Sequence, residues 1–593
     1  MNHIQMANVL LLLLLFSIHS IVSAISFKCT EAGKCVRKTD PPNNNTLFEC
    51  QNACRLTCGR YGALWPKPTG STIIKNGVVR LNPHNIRFEH QGNRGQEYLA
   101  AINGIFMKNI ASECEKKDCV TESDNEVIVE YSINVFDETL TWDTDESYSL
   151  VISTLDKATT VQISSHTVYG ARHALETLSQ LITVTNGPST NYNNVLIIVS
   201  SAQIKDRPTY AHRGLLIDTA RNFIPIADIE RTLDGMGTSK LNVFHWHATD
   251  TQSFPLEIVR VPQMTVFGAY SPDEIYTLSD VRHIVKYAKH RGIRVIMEID
   301  APSHAGNGWQ WGPSNNLGNL SLCVNEQPWR SFCIQPPCGQ LNPINSNVYE
   351  ILRSIYIDLI TTLASEETIH MGGDEVHFGC WNASSEIVDY LYNNGMGRTT
   401  DDFMKLWGDF QAATLRVWDE EKHISFLNSS TKPVILWSSH LTDPEHIDSY
   451  LNNERYIIQT WVPQTDSLPK KLLSKGYKLI MSTKDAWYFD HGFWGQTRYY
   501  TWKMAYKNRI PRDRNVLGGE ACVWSELIDR NSIDERTWPR AAAVAERLWS
   551  DPDTDVTLAE QRFYRHRERL VDRGVRAEAV TPRYCVLNEG ECT

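Results

Sequence analysis

The residues best suited to chemistry lie in His370-Met371-Gly372-Gly373-Asp374-Glu375-Val376, where two adjacent carboxylates follow a double glycine at the end of a short apolar run. Breaking a glycosidic bond needs a protonated acid beside the leaving oxygen and a group opposite that stabilises the cation forming on the sugar. Neighbouring carboxylates with unequal surroundings can divide such tasks. A lone Asp-Glu pair is more often a solvated turn, so the weight rests on what the chain assembles around it.

The elements that would position this pair begin at Tyr210, where short β-rich runs start to alternate with helical segments. The predicted strands are Gly214–Asp218, Leu241–His247, Arg294–Ile299, Thr368–Met371, Pro433–Trp437, Tyr456–Trp461, Tyr477–Met481 and Val516–Trp524, with helices such as Ile226–Met236, Leu278–His290 and Val348–Leu363 between them. About eight such units over about 360 residues predict an α/β fold, a (β/α)8 barrel of the TIM type. A doubly wound sheet shares the alternation, but no glycine-rich dinucleotide loop follows the first run.

A barrel gathers its chemistry at the C-terminal ends of the strands. The unusual residues fall there: Asp218 and Arg221, His247 and Asp250, Asp300 and His304, then Asp374 and Glu375. Trp437, Trp461, Trp487-Tyr488-Phe489-Asp490 and Trp524 with Glu526 complete the rim. Flat aromatic faces among polar groups suit a pyranose, whose C–H faces are ringed by hydroxyls. A metal centre is the competing reading, because His245 and His247 share one side of a strand and could join Asp250, His304 and Asp374. No further His appears at the late strand ends and no HExxH occurs, so neither a metal nor another cofactor is expected.

At 593 residues the chain is long enough for roughly two to four domains. A hydrophobic content of 42%, a charged content of 21% and a net charge of −11 describe a soluble globular protein and give a nucleic-acid partner no support. Val9 to Ile18 holds an unbroken leucine run, and Val22-Ser23-Ala24 offers the small residues of a cleavage site, so residues 1–24 are predicted to be a signal peptide. The run is short for a membrane anchor and is interrupted by Ser17, His19 and Ser20. Fourteen cysteines agree with an oxidising compartment, Cys522 reading as a free buried thiol in an apolar strand. Sequons open at Asn44, Asn319, Asn382 and Asn428.

The division expected is a cysteine-rich segment over residues 25–62, a smaller α+β domain over 63–205, the catalytic barrel over 206–575, and a disulfide-bearing tail over 576–593. The α+β domain shows strands at Val127–Phe136, Ser149–Ser153 and Thr160–Ile163, an amphipathic helix from Tyr169 to Leu181, and no constellation that demands chemistry.

Four ordered motifs then carry a specific resemblance: Tyr210-Ala211-His212-Arg213-Gly214-Leu215-Leu216-Ile217-Asp218-Thr219-Ala220-Arg221-Asn222, Lys240-Leu241-Asn242-Val243-Phe244-His245-Trp246-His247, Gly372-Gly373-Asp374-Glu375, and Gly518-Gly519-Glu520-Ala521-Cys522-Val523-Trp524. With Trp538-Pro539-Arg540-Ala541 and Ala545-Glu546-Arg547-Leu548-Trp549, the chain from about Pro66 onward resembles the family 20 glycoside hydrolases, the β-N-acetylhexosaminidases. The cysteine-rich start and Trp65-Pro66-Lys67-Pro68 most resemble the secreted insect members that degrade chitooligosaccharides.

The resemblance implies a retaining, exo-acting hydrolase that frees terminal GlcNAc, with GalNAc as a second sugar. Glu375 would be the general acid and base, and Asp374 would hold the substrate's 2-acetamido group, whose carbonyl oxygen attacks the anomeric carbon. Asp250 and His304 would support Glu375, and Arg221 would grip hydroxyls of the terminal sugar. Trp437, Trp461 and Trp524 would wall the acetamido pocket, Tyr488 would donate to the acetamido carbonyl, and Asp490 and Glu526 would bind outer hydroxyls. Two departures bear on the substrate. The insect members typically carry an acidic residue where Gln335 stands, in a loop with Trp329 that helps hold a second sugar. They also have a longer insert after Tyr488-x-Asp490 bearing a further Trp, for which Trp494 and then Trp502 are the candidates here. The resemblance further implies an oligosaccharide partner, secretion rather than a lysosomal location, and by analogy a homodimer. Trimming of N-glycan GlcNAc and a catalytically silent glycan-binding protein are the alternatives.

Overall fold

The computed structural model describes residues 26–38, 50–92, 94–120, 123–185, 194–363, 368–425, 432–490, 492–494 and 498–592. The expected signal peptide and the sequons at Asn44 and Asn428 lie outside these residues. No helix among the described residues is long and apolar enough to cross a membrane.

Seven parallel strands, His212–Asp218, Val243–His247, Arg294–Glu298, Val434–Trp437, Tyr456–Thr460, Lys478–Met481 and Val516–Val523, form one curled sheet. Helices follow them outside, among them Ile226–Ser239, Leu278–Lys289, Ser346–Leu363, Thr400–Ser425 and Arg540–Ser550. The strand predicted at Thr368–Met371 is reduced to His370, which bridges Glu298 on one side and Ile435 on the other. That single residue closes the sheet, with Ile299 N donating to His370 O at 3.2 Å and Met371 N to Ile435 O at 2.9 Å. The chain must turn at Gly372, which leaves no length for a longer ladder. The result is the barrel that the alternation predicts.

Side chains alternate in direction along a strand, so residues two apart share the inward face. Val243, Ile296, Ile435, Ile457 and Ile480 form an apolar layer within the barrel. Two residues further along come His245, Glu298, Trp437, Gln459 and Ser482, and with Glu520 these make a polar layer, all buried. The next step reaches His247, Asp300 and Trp461 at the rim. Packed side chains therefore fill the barrel up to a floor, and the space for a ligand opens above it.

The smaller domain is a six-stranded sheet that includes Glu126–Val135, Tyr148–Leu155 and Ala158–Thr167, close to the strands read from sequence. Its helix Val168–Gln180 was expected to be amphipathic, yet every residue of it is buried. The polar face is covered because it docks on the barrel, where Arg573 donates to Glu176 at 2.8 Å and Trp549 packs edge-on against His173 at 5.0 Å, rather than facing water. Disulfides join Cys29–Cys58, Cys35–Cys54, Cys114–Cys119, Cys323–Cys380, Cys333–Cys338 and Cys585–Cys592. Cys522 is free and buried, as read from its apolar strand.

Candidate active site

The double glycine is a steric requirement. Gly372 and Gly373 have φ of 63° and 86°, in the left-handed region that glycine enters without penalty. A Cβ on Gly372 would lie 1.7 Å from Asp300 Oδ1. The chain thus folds tightly round the Asp300 carboxylate, to which Gly373 N donates at 3.0 Å. Glu375 itself takes φ 51° and His304 φ 55°, strained positions that cost about 1–3 kcal/mol each and persist only where the surroundings dictate them. The corner presents Asp374 and Glu375 to the mouth of the barrel.

Behind Glu375 stands a chain of alternating partners. His304 Nε2 lies 3.4 Å from Glu375 Oε2 and 4.0 Å from Asp374 Oδ2. His304 Nδ1 contacts Asp250 Oδ1 at 3.2 Å, and Asp250 Oδ2 takes His247 Nε2 at 3.0 Å and Arg221 at 2.8 Å. Gln335 Nε2 donates to Glu375 Oε2 at 3.3 Å, held in a loop that the Cys333–Cys338 disulfide closes.

The electrostatics follow from these neighbours. Burial, and then the Glu375 charge, push Asp374 up to about 6 despite the opposing His304. Burial would also raise Glu375, but the His304 ring and the Gln335 amide hold it below the usual carboxylate range. Burial and the adjacent Asp374 drive Asp300 well above that range. His304 is raised well above an ordinary histidine, because Asp250 and Asp300 outweigh the burial that opposes its charge.

Above the carboxylates lies a cavity of about 260 Å³. Trp437, Trp461, Trp524 and Tyr488 form its walls, Arg221, His304, Asp374, Glu375, Asp490 and Glu526 its polar points, and Trp494 part of its mouth. Asp374 Oδ1, Asp490 Oδ1, Glu526 Oε2 and Arg221 Nε are buried and have no hydrogen-bond partner. Buried polar atoms are nearly always satisfied, so four orphans around one aromatic-walled cavity mark groups set aside for a polar ligand.

Of the residues singled out from sequence, Asp218, Asp250, Trp329, Trp487 and Phe489 do not line the cavity; Trp487 turns into the core, where its Nε1 donates to Ala505 O at 3.0 Å. Asp250 sits behind it, and Trp329 packs edge-on against Trp494 at 5.9 Å, one layer out. Trp502, the second candidate for the extra Trp, is stacked on Phe563 in the core and is not part of the site. The sequence reading assigned no role to Asp300, Ile334, Lys484 or Phe493, all of which line the cavity, and missed Glu298 beneath it. The two-residue strand period would have placed Glu298 on the same inward face as Asp300.

A barrel whose rim carries paired carboxylates in a tryptophan-walled pocket defines a sugar-cleaving enzyme. Residues 210–552 match the catalytic domain of glycosyl hydrolase family 20, and residues 64–181 match the region described as beta-acetyl hexosaminidase like. The chain belongs to glycosyl hydrolase family 20 and is a β-N-acetylhexosaminidase. It is 40% identical over 581 residues to a chitooligosaccharidolytic beta-N-acetylglucosaminidase of Bombyx mori, covering 95% of this chain and 94% of that protein. A protein of the same description from Ostrinia furnacalis is 38% identical over 577 residues, covering 94% of each. Among solved structures, the Flavobacterium johnsoniae chitobiase superposes with a TM-score of 0.67 at 25% identity, over 86% of this chain and 73% of that one.

Proposed function

We propose that the protein is a secreted exo-β-N-acetylhexosaminidase that releases terminal non-reducing GlcNAc from chitooligosaccharides by retaining, substrate-assisted hydrolysis. The observation that carries this reading is the unequal carboxylate pair: Glu375 is backed by His304 and Asp250, while Asp374 lines the cavity with one carboxylate oxygen left unpartnered. A cavity of about 260 Å³ is small beside the roughly 300–1,000 Å³ of ligand pockets in general, which suits one terminal sugar ring rather than a chain passing through.

In this mechanism Asp374 accepts the acetamido N–H and stabilises the positive charge that builds there as the acetamido oxygen attacks the anomeric carbon. Tyr488 donates to that oxygen and aims it. Glu375 protonates the departing glycosidic oxygen and then takes a proton from the incoming water, which opens the cyclic intermediate from the same face. Arg221, Asp490 and Glu526 bind the ring hydroxyls, and Trp437, Trp461 and Trp524 enclose the acetamido group. Trp494 and Trp329, with Gln335, would meet the second sugar. The leader over residues 1–24 and the six disulfides support secretion, and the division at about residues 62, 205 and 575 is read with them.

The chitooligosaccharide preference draws on the insect relatives, and Gln335 is the residue that favours N-glycan trimming as the second reading. Hydrolysis rates on chitobiose, longer chitooligomers and a biantennary N-glycan test it. Faster turnover of the chitooligomers with β-GlcNAc as the first-formed anomer is expected. Faster release from the N-glycan would overturn the substrate assignment, and an α first product would overturn the mechanism.

A further inference from the structure

Beneath the cavity, out of a ligand's reach, lies a carboxylate that the proposed reaction does not use. Glu298 is fully buried. Its Oε2 stands 2.6 Å from His247 Nδ1 and 2.9 Å from His245 Nε2, and its Oε1 accepts Trp437 Nε1–H at 2.7 Å and lies 3.3 Å from His370 Nδ1. Two of these partners, His247 and Trp437, lead to separate parts of the site. His247 reaches Asp250 at 3.0 Å, which contacts His304, which faces Glu375. His370 Nδ1 accepts the N–H of Gly372 at 3.0 Å, at the head of the corner that bears Asp374 and Glu375, so that atom has no proton for Glu298 and only packs against it. Trp437 is a wall of the cavity.

We infer that Glu298 is a positioning residue for the proton donor: through His247, Asp250 and His304 it places the Glu375 carboxyl, and through Trp437 it holds the wall opposite. This rests on Glu375 being that donor.

Stability alone is a poor reason for such a cluster, because apolar groups of the same shape usually serve a core as well or better. Geometry supplies another. His247 bridges two carboxylates, one at each ring nitrogen, and only an imidazolium donates from both. Burial opposes that charge, but Glu298 and Asp250 outweigh it and hold His247 protonated. With Glu298 neutral, His247 would lose the charge that keeps both ring nitrogens protonated: its Nδ1 would accept from the uncharged side chain, and Asp250 would face a neutral imidazole in the line to Glu375. A cation shared by His245, Glu298 and His370 is the other way to satisfy these groups. The two rings stack at 4.5 Å and 27°, whereas ligand lone pairs lie in the ring plane and would have to converge.

The test uses the full-length protein with Glu298→Gln and two substrates: chitobiose, whose leaving group needs a proton, and an aryl N-acetylglucosaminide whose leaving group does not. We expect kcat/KM on chitobiose to fall on the order of tenfold to a hundredfold, a part of the ~10²–10⁴-fold that a general acid contributes, while kcat/KM on the aryl substrate, whose cleavage needs no proton, changes less than about threefold. Should Glu298→Gln fail to fold, His247→Gln cuts the same line while keeping a donor for Asp250, and the same split between substrates is expected. Equal losses on both substrates, as a merely structural role would produce, or no loss on either, would overturn the inference. So would about one equivalent of tightly bound metal in the purified wild type. If Glu375→Gln turns over chitobiose normally, the donor assignment fails first and the proposal for Glu298 goes with it.

Discussion

Which of two adjacent carboxylates keeps a proton is decided by what each one faces. In the free enzyme Asp374, raised to about 6, holds it in preference to Glu375, which His304 and Gln335 keep low. An acetamido N–H donated to Asp374 would stabilise the anion there, and that new charge would raise Glu375. Substrate binding would therefore move the proton to Glu375, the donor in the proposed mechanism. The competent free enzyme carries one proton on the pair, and such a pair titrates as a unit. That proton is lost as pH rises through the upper value, so kcat/KM should fall on the alkaline side with a limb near pH 6. The limb in kcat should lie higher, since bound substrate has already shifted the proton. A kcat/KM profile that stays flat from about pH 5 to 8 would contradict this arrangement. Glu375→Gln should lower kcat/KM on chitobiose by about 10²–10⁴-fold and spare kcat/KM on an activated aryl substrate, because kcat/KM reads bond cleavage, where only the first leaving group needs the acid, while loss of the base lowers kcat on both. Equal losses on the two would point to a binding role.

At the scale of the element, the corner after the fourth strand position is where backbone and chemistry meet. Gly372→Ala puts a methyl into the Asp300 carboxylate at 1.7 Å on a backbone that alanine resists, so the corner must move. We expect a folded protein with kcat reduced on the order of a hundredfold, since a displacement of about 1 Å costs that much in a positioned site. Circular dichroism and melting temperature would show the fold, and wild-type kcat would refute the steric account. This corner was legible in sequence, because paired glycines before paired acids at the end of an apolar run have few other uses. The barrel strands were legible too, from runs of apolar residues bounded by polar ends. Two features were not. The fourth strand shrinks to His370, since its pairing depends on where the chain turns round Asp300, a residue 70 positions earlier. Glu298 and Glu520 sit inside apolar strands and look like strand residues, and their meaning comes from His245, His247 and His212, which lie on other strands. Trp329 and Trp502 show the converse limit, because a half-buried Trp and a fully packed one read alike in sequence.

At the scale of the whole molecule, the two domains are joined by buried charge rather than by a linker alone. Arg213 at the start of the first barrel strand grips Glu146 of the smaller domain with two bonds of 2.7 and 2.9 Å, and stacks on Trp549 at 4.9 Å. Lys240 reaches Asp206 at 3.2 Å, and Trp549 Nε1 donates to the same carboxylate at 3.0 Å. Burial would raise Glu146, but Arg213 and His173 hold it down at about 2. With a folded value depressed below 4.5, its contribution is complete above the unfolded value and is lost only as pH falls through about 2. The junction should therefore hold in acidic surroundings. It also lies at the N-terminal ends of the strands, the face of such barrels that serves stability, opposite the cavity. Glu146→Ala leaves Arg213 charged, buried and unpaired, which costs about 3–5 kcal/mol. We expect denaturant unfolding of the wild type to be a single transition, and that of Glu146→Ala to split, the smaller domain leaving first. Turnover by the folded fraction should be unchanged, because nothing at the rim touches this pair. An unaltered midpoint would mean that apolar packing of the wholly buried helix Val168–Gln180 is enough to hold the domains together, and that the ion pairs fix only their orientation.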